Sequence, residues 1–213
     1  MIDTPRHQGL RNKLVKELSL KGIYDTKVLE AISKVPRHLF LDSAFEEHAY
    51  VDKAFPINSG QTISQPYTVA FQTQLLEINK GDKILEIGTG SGYQAAILIQ
   101  MGAQVYTIER IKELFLKAKQ NLNKIGLKPK YAAYGDGYKG LPNYAPFDKI
   151  IVTAAAPYIP NTLIEQLKPG GRLVIPVGND VQKMKLVIKT DAENYTETEH
   201  GLFRFVPLLK NKI

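Results

Sequence analysis

The sequence predicts an α/β protein: a mostly parallel seven-stranded sheet with helices on both faces, further helices ahead of it and an antiparallel edge near the C-terminus. Three observations predict it. Short apolar runs alternate with helical stripes from residue 83 to residue 175, as in a parallel sheet whose crossovers are helices. The first run ends in glycines at alternate positions, Gly88, Gly90 and Gly92, and a helical pattern starts directly behind them. Two further strand-like runs then follow with no helical segment between them, which suits antiparallel pairing. At 213 residues the chain is expected to form one domain. Residues 1–66 read as an N-terminal helical segment with a loop, 67–178 as the core and 179–213 as C-terminal strands.

Residues 6–45 read as mostly helical. Leu10, Leu14 and Leu18, then Val28, Leu29 and Ile32, recur at helical spacing, punctuated by Gly22 and Pro36. Residues 46–66 have no period and contain Pro56, Gly60 and Pro66, so they read as a long loop. Loops of that length inside a compact domain are often functional. Pro66 opens a helix over about Tyr67–Ile78, since proline suits a first helical turn. Strands follow at Lys83–Ile87, Gln104–Ile108, Lys130–Tyr134, Asp148–Thr153 and Gly171–Ile175. Between them lie helices at Tyr93–Met101, along the stripe Ile111 to Ile125, and at Asn161–Leu167. Lys185–Lys189 and Leu202–Val206 are the last two strands.

Composition removes several chemistries. With no cysteine, the chain has no disulfide, thiolate metal site or cysteine nucleophile, which agrees with a cytoplasmic location. The polar start, Met1 to His7, has no apolar run behind it, and no stretch reaches the roughly 18 apolar residues of a membrane helix. Neither a signal peptide nor a membrane partner is expected. The net charge of +7 permits a nucleic-acid partner, yet the lysines are scattered. Their densest stretch, Lys124 to Lys130, lies where a helix ends, and cations suit that end of the helix dipole. The 4 histidines are also scattered and read as structural or surface groups, and no metal site is expected.

The sharpest signal is Leu85-Glu86-Ile87-Gly88-Thr89-Gly90-Ser91-Gly92-Tyr93. Such a turn lets backbone N–H groups and a helix N-terminus approach a ligand with no Cβ in the way. A dinucleotide fingerprint, G-x-G-x-x-G, would need glycine where Tyr93 stands. Glu86 sits just before the first glycine, where a carboxylate repels a pyrophosphate but attracts a sulfonium or amino group. The E-x-G-x-G-x-G pattern resembles motif I of the class I S-adenosylmethionine methyltransferases, which have a Rossmann-like fold. Glu109, after the strand ending at Ile108, suits both ribose hydroxyls of such a cofactor. The resemblance assigns Asp136 and Gly137, in Gly135-Asp136-Gly137, to the adenine. It places Gly88, Thr89, Gly90, Ser91, Gly92, Arg110 and Thr153 in the same pocket.

A second resemblance is narrower. Gly60-Gln61-Thr62-Ile63-Ser64-Gln65-Pro66-Tyr67 resembles the signature of the protein-L-isoaspartate O-methyltransferases. Val35-Pro36-Arg37-His38, Ile151 to Pro157, Lys168 to Leu173 and Phe205-Val206-Pro207-Leu208 resemble that family too, so the likeness runs from about Leu10 to Leu209. One departure is Asn58, where the family usually has glycine; asparagine tolerates left-handed backbone angles better than most residues.

The resemblance implies methyl transfer from S-adenosyl-L-methionine, leaving S-adenosyl-L-homocysteine, to the free α-carboxylate of L-isoaspartyl residues in damaged proteins. It implies Ser64 as the residue that orients that carboxylate, Thr62 and Gln65 as substrate neighbours, and Ile63 as a wall of the cofactor pocket. Val206, Pro207 and Leu208 would line a peptide groove by strand-like contacts. The partners expected are isoaspartyl proteins and peptides, acted on by a monomer. The rival reading is a nucleic-acid methyltransferase. Cytosine-C5 chemistry needs a cysteine nucleophile, and amino-methylating enzymes of this fold usually carry a polar Asn/Asp-Pro-Pro-Tyr clamp where Thr153-Ala154-Ala155-Ala156-Pro157 stands.

Overall fold

A computed structural model describes residues 2–213. Two helices lead. In α1 (Pro5–Leu20) the Thr4 hydroxyl accepts from the His7 backbone N–H, and Pro5 occupies the first turn. In α2 (Thr26–Lys34) the Asp25 carboxylate caps Lys27 and Val28. Leu14, Leu18, Val28 and Ile32 are fully buried, as their helical spacing predicts.

The helical reading of 35–45 is corrected. Pro36 lacks a donor and holds Val35 extended, so α2 stops at Lys34 and only short 3-10 turns follow, at Arg37–Phe40 and Ser43–His48. The long loop also has structure of its own. Strands β1 (Phe55–Pro56) and β2 (Thr62–Ile63) pair antiparallel as a small hairpin with Asn58-Ser59-Gly60 at its tip. Helix α3 (Pro66–Leu76) follows and stops where Glu77 turns left-handed.

The main sheet contains β3 (Lys83–Ile87), β4 (Gln104–Glu109), β5 (Tyr131–Tyr134), β6 (Phe147–Val152), β7 (Leu167–Val177), β8 (Gln182–Lys189) and β9 (Tyr195–Phe203). Their order is β5-β4-β3-β6-β7-β8-β9. The first five are parallel, and β8 and β9 pair antiparallel at one edge. Helices α4 (Tyr93–Gln100), α5 (Lys112–Lys124) and α6 (Asn161–Glu165) are the crossovers. One apolar core joins α1 to α4 to the sheet, and a second fills the opposite face around Leu85, Phe147 and Leu173. The chain runs outward from β3 to β5 and then returns to place β6 on the other side of β3. Ligands of open α/β sheets bind at such a switch point, outside the carboxyl ends of the strands.

Several boundaries differ from those predicted, most of all toward the C-terminus. Strand β7 starts at Leu167, so α6 ends two residues early, and β8 starts at Gln182. The last strand is Tyr195–Phe203 rather than Leu202–Val206. It is an edge strand exposed along most of its length, so apolar patterning does not mark it. Its antiparallel ladder with β8 holds it, and cross-strand ion pairs add to that, Lys183 to Glu199 and Lys185 to Glu197 and Glu199. Val206 and Leu208 leave the sheet to bond with Ala155: the Ala155 N–H donates to Val206 O at 2.8 Å and the Leu208 N–H to Ala155 O at 2.6 Å. Among the described residues, no helix is long and apolar enough to cross a membrane.

Candidate active site

A cavity opens at the carboxyl ends of β3, β4 and β6. Its floor is the glycine turn. Gly88, Gly90 and Gly92 have φ of +93°, +54° and +89°, angles that suit glycine. A Cβ on Gly88 would lie 2.6 Å from Thr153 Oγ1, so this turn needs bare backbone as well as unusual angles. Thr153 Oγ1 bonds Gly88 O at 2.6 Å and Ile87 O at 3.0 Å, tying the end of β6 to the turn. Glu109 braces the same turn. Its carboxylate accepts from the Gly90 N–H at 2.8 Å and from the Ile111 N–H at 3.0 Å, and it still borders the cavity. A carboxylate has about four acceptor positions, so capacity remains for a ligand's hydroxyls.

The segment Gln61-Thr62-Ile63-Ser64 forms the facing wall. Its exit is fixed by Asp52, whose carboxylate accepts from the Tyr67 N–H at 2.7 Å, from Gln65 Nε2 at 3.0 Å and from Lys21 Nζ at 2.7 Å. Asp52 thereby caps α3 and aligns the chain that bears Ser64. A second, open groove adjoins the cavity, walled by Tyr67, Phe71, Phe203 and Phe205. Thr62, Ser64, Thr153 and Val206 border both spaces.

Most of the residues singled out from the sequence border the cavity: Thr62, Ile63, Ser64, Gly88, Thr89, Gly90, Ser91, Glu109, Arg110, Gly137, Thr153, Val206, Pro207 and Leu208. Gln65 borders only the groove. Three expected cofactor residues lie behind the wall. Glu86 is fully buried beneath the turn, where Thr107 Oγ1 donates to it at 2.5 Å and bonds Thr89 Oγ1 in turn. It therefore supports the turn rather than facing the cavity. Burial raises its pKa to about 8, against the lowering effect of the Thr107 hydrogen bond. Gly92 faces α5, where a Cβ would lie 3.4 Å from Ala118 and Leu122. Asp136 does not border the cavity; its oxygens accept from the backbone N–H groups of Tyr138 and Asn211, each at 2.9 Å, and so tie down the C-terminal tail.

Sequence reasoning missed Gln72, Gln94, Leu114 and Leu209, which also line the cavity. Gln72 and Gln94 are buried polar groups on helices of apolar character, and that mismatch was the available signal. Buried polar groups otherwise stay near a bonding partner. Gln72 Nε2 reaches Val152 O at 3.0 Å and Gln94 Nε2 reaches Thr73 Oγ1 at 3.0 Å.

Among the described residues, Asp3, His7 and His38 are the one group of potential metal ligands. The two rings stack 3.9 Å apart and 23° from parallel, so their in-plane lone pairs run side by side instead of converging. Arg11 takes both Asp3 oxygens. The cluster therefore fits packing, not a cation.

A glycine turn at the switch point of this sheet order, supported from beneath by Glu86 and braced by Glu109, is that of a class I S-adenosylmethionine-dependent methyltransferase. The chain belongs to the protein-L-isoaspartate(D-aspartate) O-methyltransferase family, whose model matches residues 9–213. A protein-L-isoaspartate O-methyltransferase of Christiangramia forsetii is 64% identical over 212 residues, covering 100% of both chains. A solved protein-L-isoaspartate O-methyltransferase is similar at TM-score 0.85 and 29% identity, covering 94% of this chain and 66% of that one. A Plasmodium falciparum structure described as a β-aspartate methyltransferase, in complex with S-adenosyl-L-homocysteine, is similar at TM-score 0.81 and 25% identity, covering 94% of this chain and 99% of that one. The function is protein repair by methyl transfer to isoaspartyl residues, with S-adenosyl-L-methionine as cofactor.

Proposed function

We propose that the cavity seats the cofactor and the adjoining groove the isoaspartyl peptide, with Ser64 at their junction orienting the α-carboxylate. The four residues bordering both spaces carry this reading. The bound cofactor supplies a methyl group activated on a sulfonium. Glu109 takes the ribose hydroxyls, while Thr89, Gly90 and Ser91 offer the turn's backbone and Ile63 and Leu114 close the apolar sides. The Gly137 backbone and Leu208 flank the adenine end. Thr62 and Gln65 steady the peptide beside Ser64, and Val206 gives it an edge to lie along, whereas Pro207 and Leu208, expected beside the peptide, border only the cofactor cavity. A carboxylate with pKa near 4 is ionised at neutral pH and needs no general base. What remains for the protein is alignment and exclusion of water. Phe203, Phe205, Tyr67 and Phe71 exclude it on the peptide side.

We further propose one functional unit over residues 1–213, acting as a cytoplasmic monomer on proteins and not on nucleic acid. The scattered lysines and the absence of cysteine support this. Calorimetric binding of S-adenosyl-L-homocysteine tests the division of the cavity. Glu109→Gln removes a charged acceptor and is expected to weaken binding by on the order of tenfold to a hundredfold. Ser64→Ala is expected to leave it unchanged. The reverse pattern would exchange the two halves of the site.

A further inference from the structure

The cavity's facing wall is carried by a hairpin that packs on the core through Phe55, Ile57 and Ile63 and is tied by side-chain hydrogen bonds at its base and at its tip. Its base is fixed where Asp52 grips Gln65 and Tyr67. The tip reaches across to α5, where one carboxylate takes both of its polar side chains: Asn58 Nδ2 donates to Glu113 Oε1 at 2.5 Å, and Ser59 Oγ donates to Glu113 Oε2 at 2.7 Å. Glu113 stands in the first turn of α5, just beyond Glu109, Arg110 and Ile111 on the opposite side of the cavity. Between base and tip, Ile57 lies over Gly90, and Gln61 to Ser64 line the cavity. The clasp is shaped to fit. Ser59 takes left-handed angles (φ 59°, ψ 31°) followed by Gly60 at φ +66°, which turns both side chains toward the same carboxylate.

We propose that the β1–β2 hairpin is a lid on the cofactor cavity and that Glu113, clasped by Asn58 and Ser59, is its latch. This rests on the reading of the cavity as the cofactor's seat. All three groups are exposed, and solvent competes for exposed charged contacts, so the latch is one that thermal motion can open. The hydrogen bonds from Ser59 and then Asn58 hold the Glu113 carboxyl below its ordinary pKa, so it stays ionised at neutral pH and both arms remain engaged. A cofactor seated under this hairpin leaves faster when the tip lifts, and lid motions of this kind often set turnover. Glu113 is thus a positioning residue: it touches neither substrate nor cofactor, and acts by holding the chain that bears Ser64. Asn58 supplies one arm of the clasp and Ser59 the other.

The test is stopped-flow release of S-adenosyl-L-homocysteine from the full chain, chased with excess S-adenosyl-L-methionine and with no methyl acceptor present. Glu113→Ala is expected to speed release by on the order of tenfold, because changes of this kind fall mostly on dissociation. Asn58→Gly and Ser59→Ala should each speed it less, and Glu113→Gln should recover part of the loss. Asn58→Gly combined with Glu113→Ala should be no faster than Glu113→Ala alone, since both arms end on one carboxylate. Lys124→Ala, at the far end of α5, serves as the control and should release at the wild-type rate. Wild-type release from Glu113→Ala, or independent effects that multiply in the double variant, overturns the latch. Methyl transfer is not read, so a failed assignment of Ser64 would leave this result standing.

Discussion

Ser64→Ala is expected to lower kcat for methylation of an isoaspartyl peptide by on the order of a hundredfold, the cost of losing alignment at a reacting centre. The acceptor carboxylate is already ionised, so its orientation toward the cofactor is the main service the protein renders. Ser64 is one of four residues bordering both the cofactor cavity and the aromatic groove. Of the other three, Thr153 spends its hydroxyl on Ile87 O and Gly88 O, and Val206 has no polar side chain. Initial rates, together with S-adenosyl-L-homocysteine affinity, check the prediction. Unchanged kcat would move the role to Thr62. A parallel loss of S-adenosyl-L-homocysteine binding would make Ser64 part of the cofactor wall.

Glu86→Gln is expected to flatten the pH dependence of stability. The buried carboxyl has a pKa of about 8 against 4.5 for an ordinary glutamate, so the folded state favours its protonated form. Burial is the main cause, with the nearby Glu109 charge adding to it. A raised folded pKa gives stability that is complete below pH 4.5 and is lost as pH rises through 8. Every tenfold difference in proton affinity between the folded and unfolded chains is worth about 1.4 kcal/mol, so a few kcal/mol are at stake across that window. Glutamine keeps the shape and the acceptor for Thr107 but cannot ionise. Melting temperatures at about pH 5, 7 and 9 should converge in Glu86→Gln and fall with pH in the wild type. Parallel curves would show that Glu86 does not titrate in that window.

Local chemistry is legible in the sequence and long-range commitment is not. The glycine turn can be read because positive φ at three alternate positions demands glycine. Strand β3 is equally plain, a short, mostly apolar run buried at every residue after its first. Strand β9 is obscure because an exposed edge strand needs no apolar pattern, and its Glu197 and Glu199 find their partners only once β8 lies alongside. Asp136 points to the adenine on motif alone, yet it lies off the cavity and accepts from the Asn211 N–H, 75 residues further along the chain. Glu86 misleads for a related reason. Its position before the first glycine fixes it to the strand, but the side of the turn it faces depends on Thr107 in the neighbouring strand. The clasp of Asn58 and Ser59 on Glu113 spans 55 residues and leaves no mark in local spacing.

Methyl transfer from labelled S-adenosyl-L-methionine to an isoaspartyl peptide, its normal-aspartyl twin and mixed nucleic acid tests the account most directly. Base-labile label on the isoaspartyl peptide alone is the result expected of a cavity and groove that meet at Ser64. Label on nucleic acid, or on neither peptide, would contradict it.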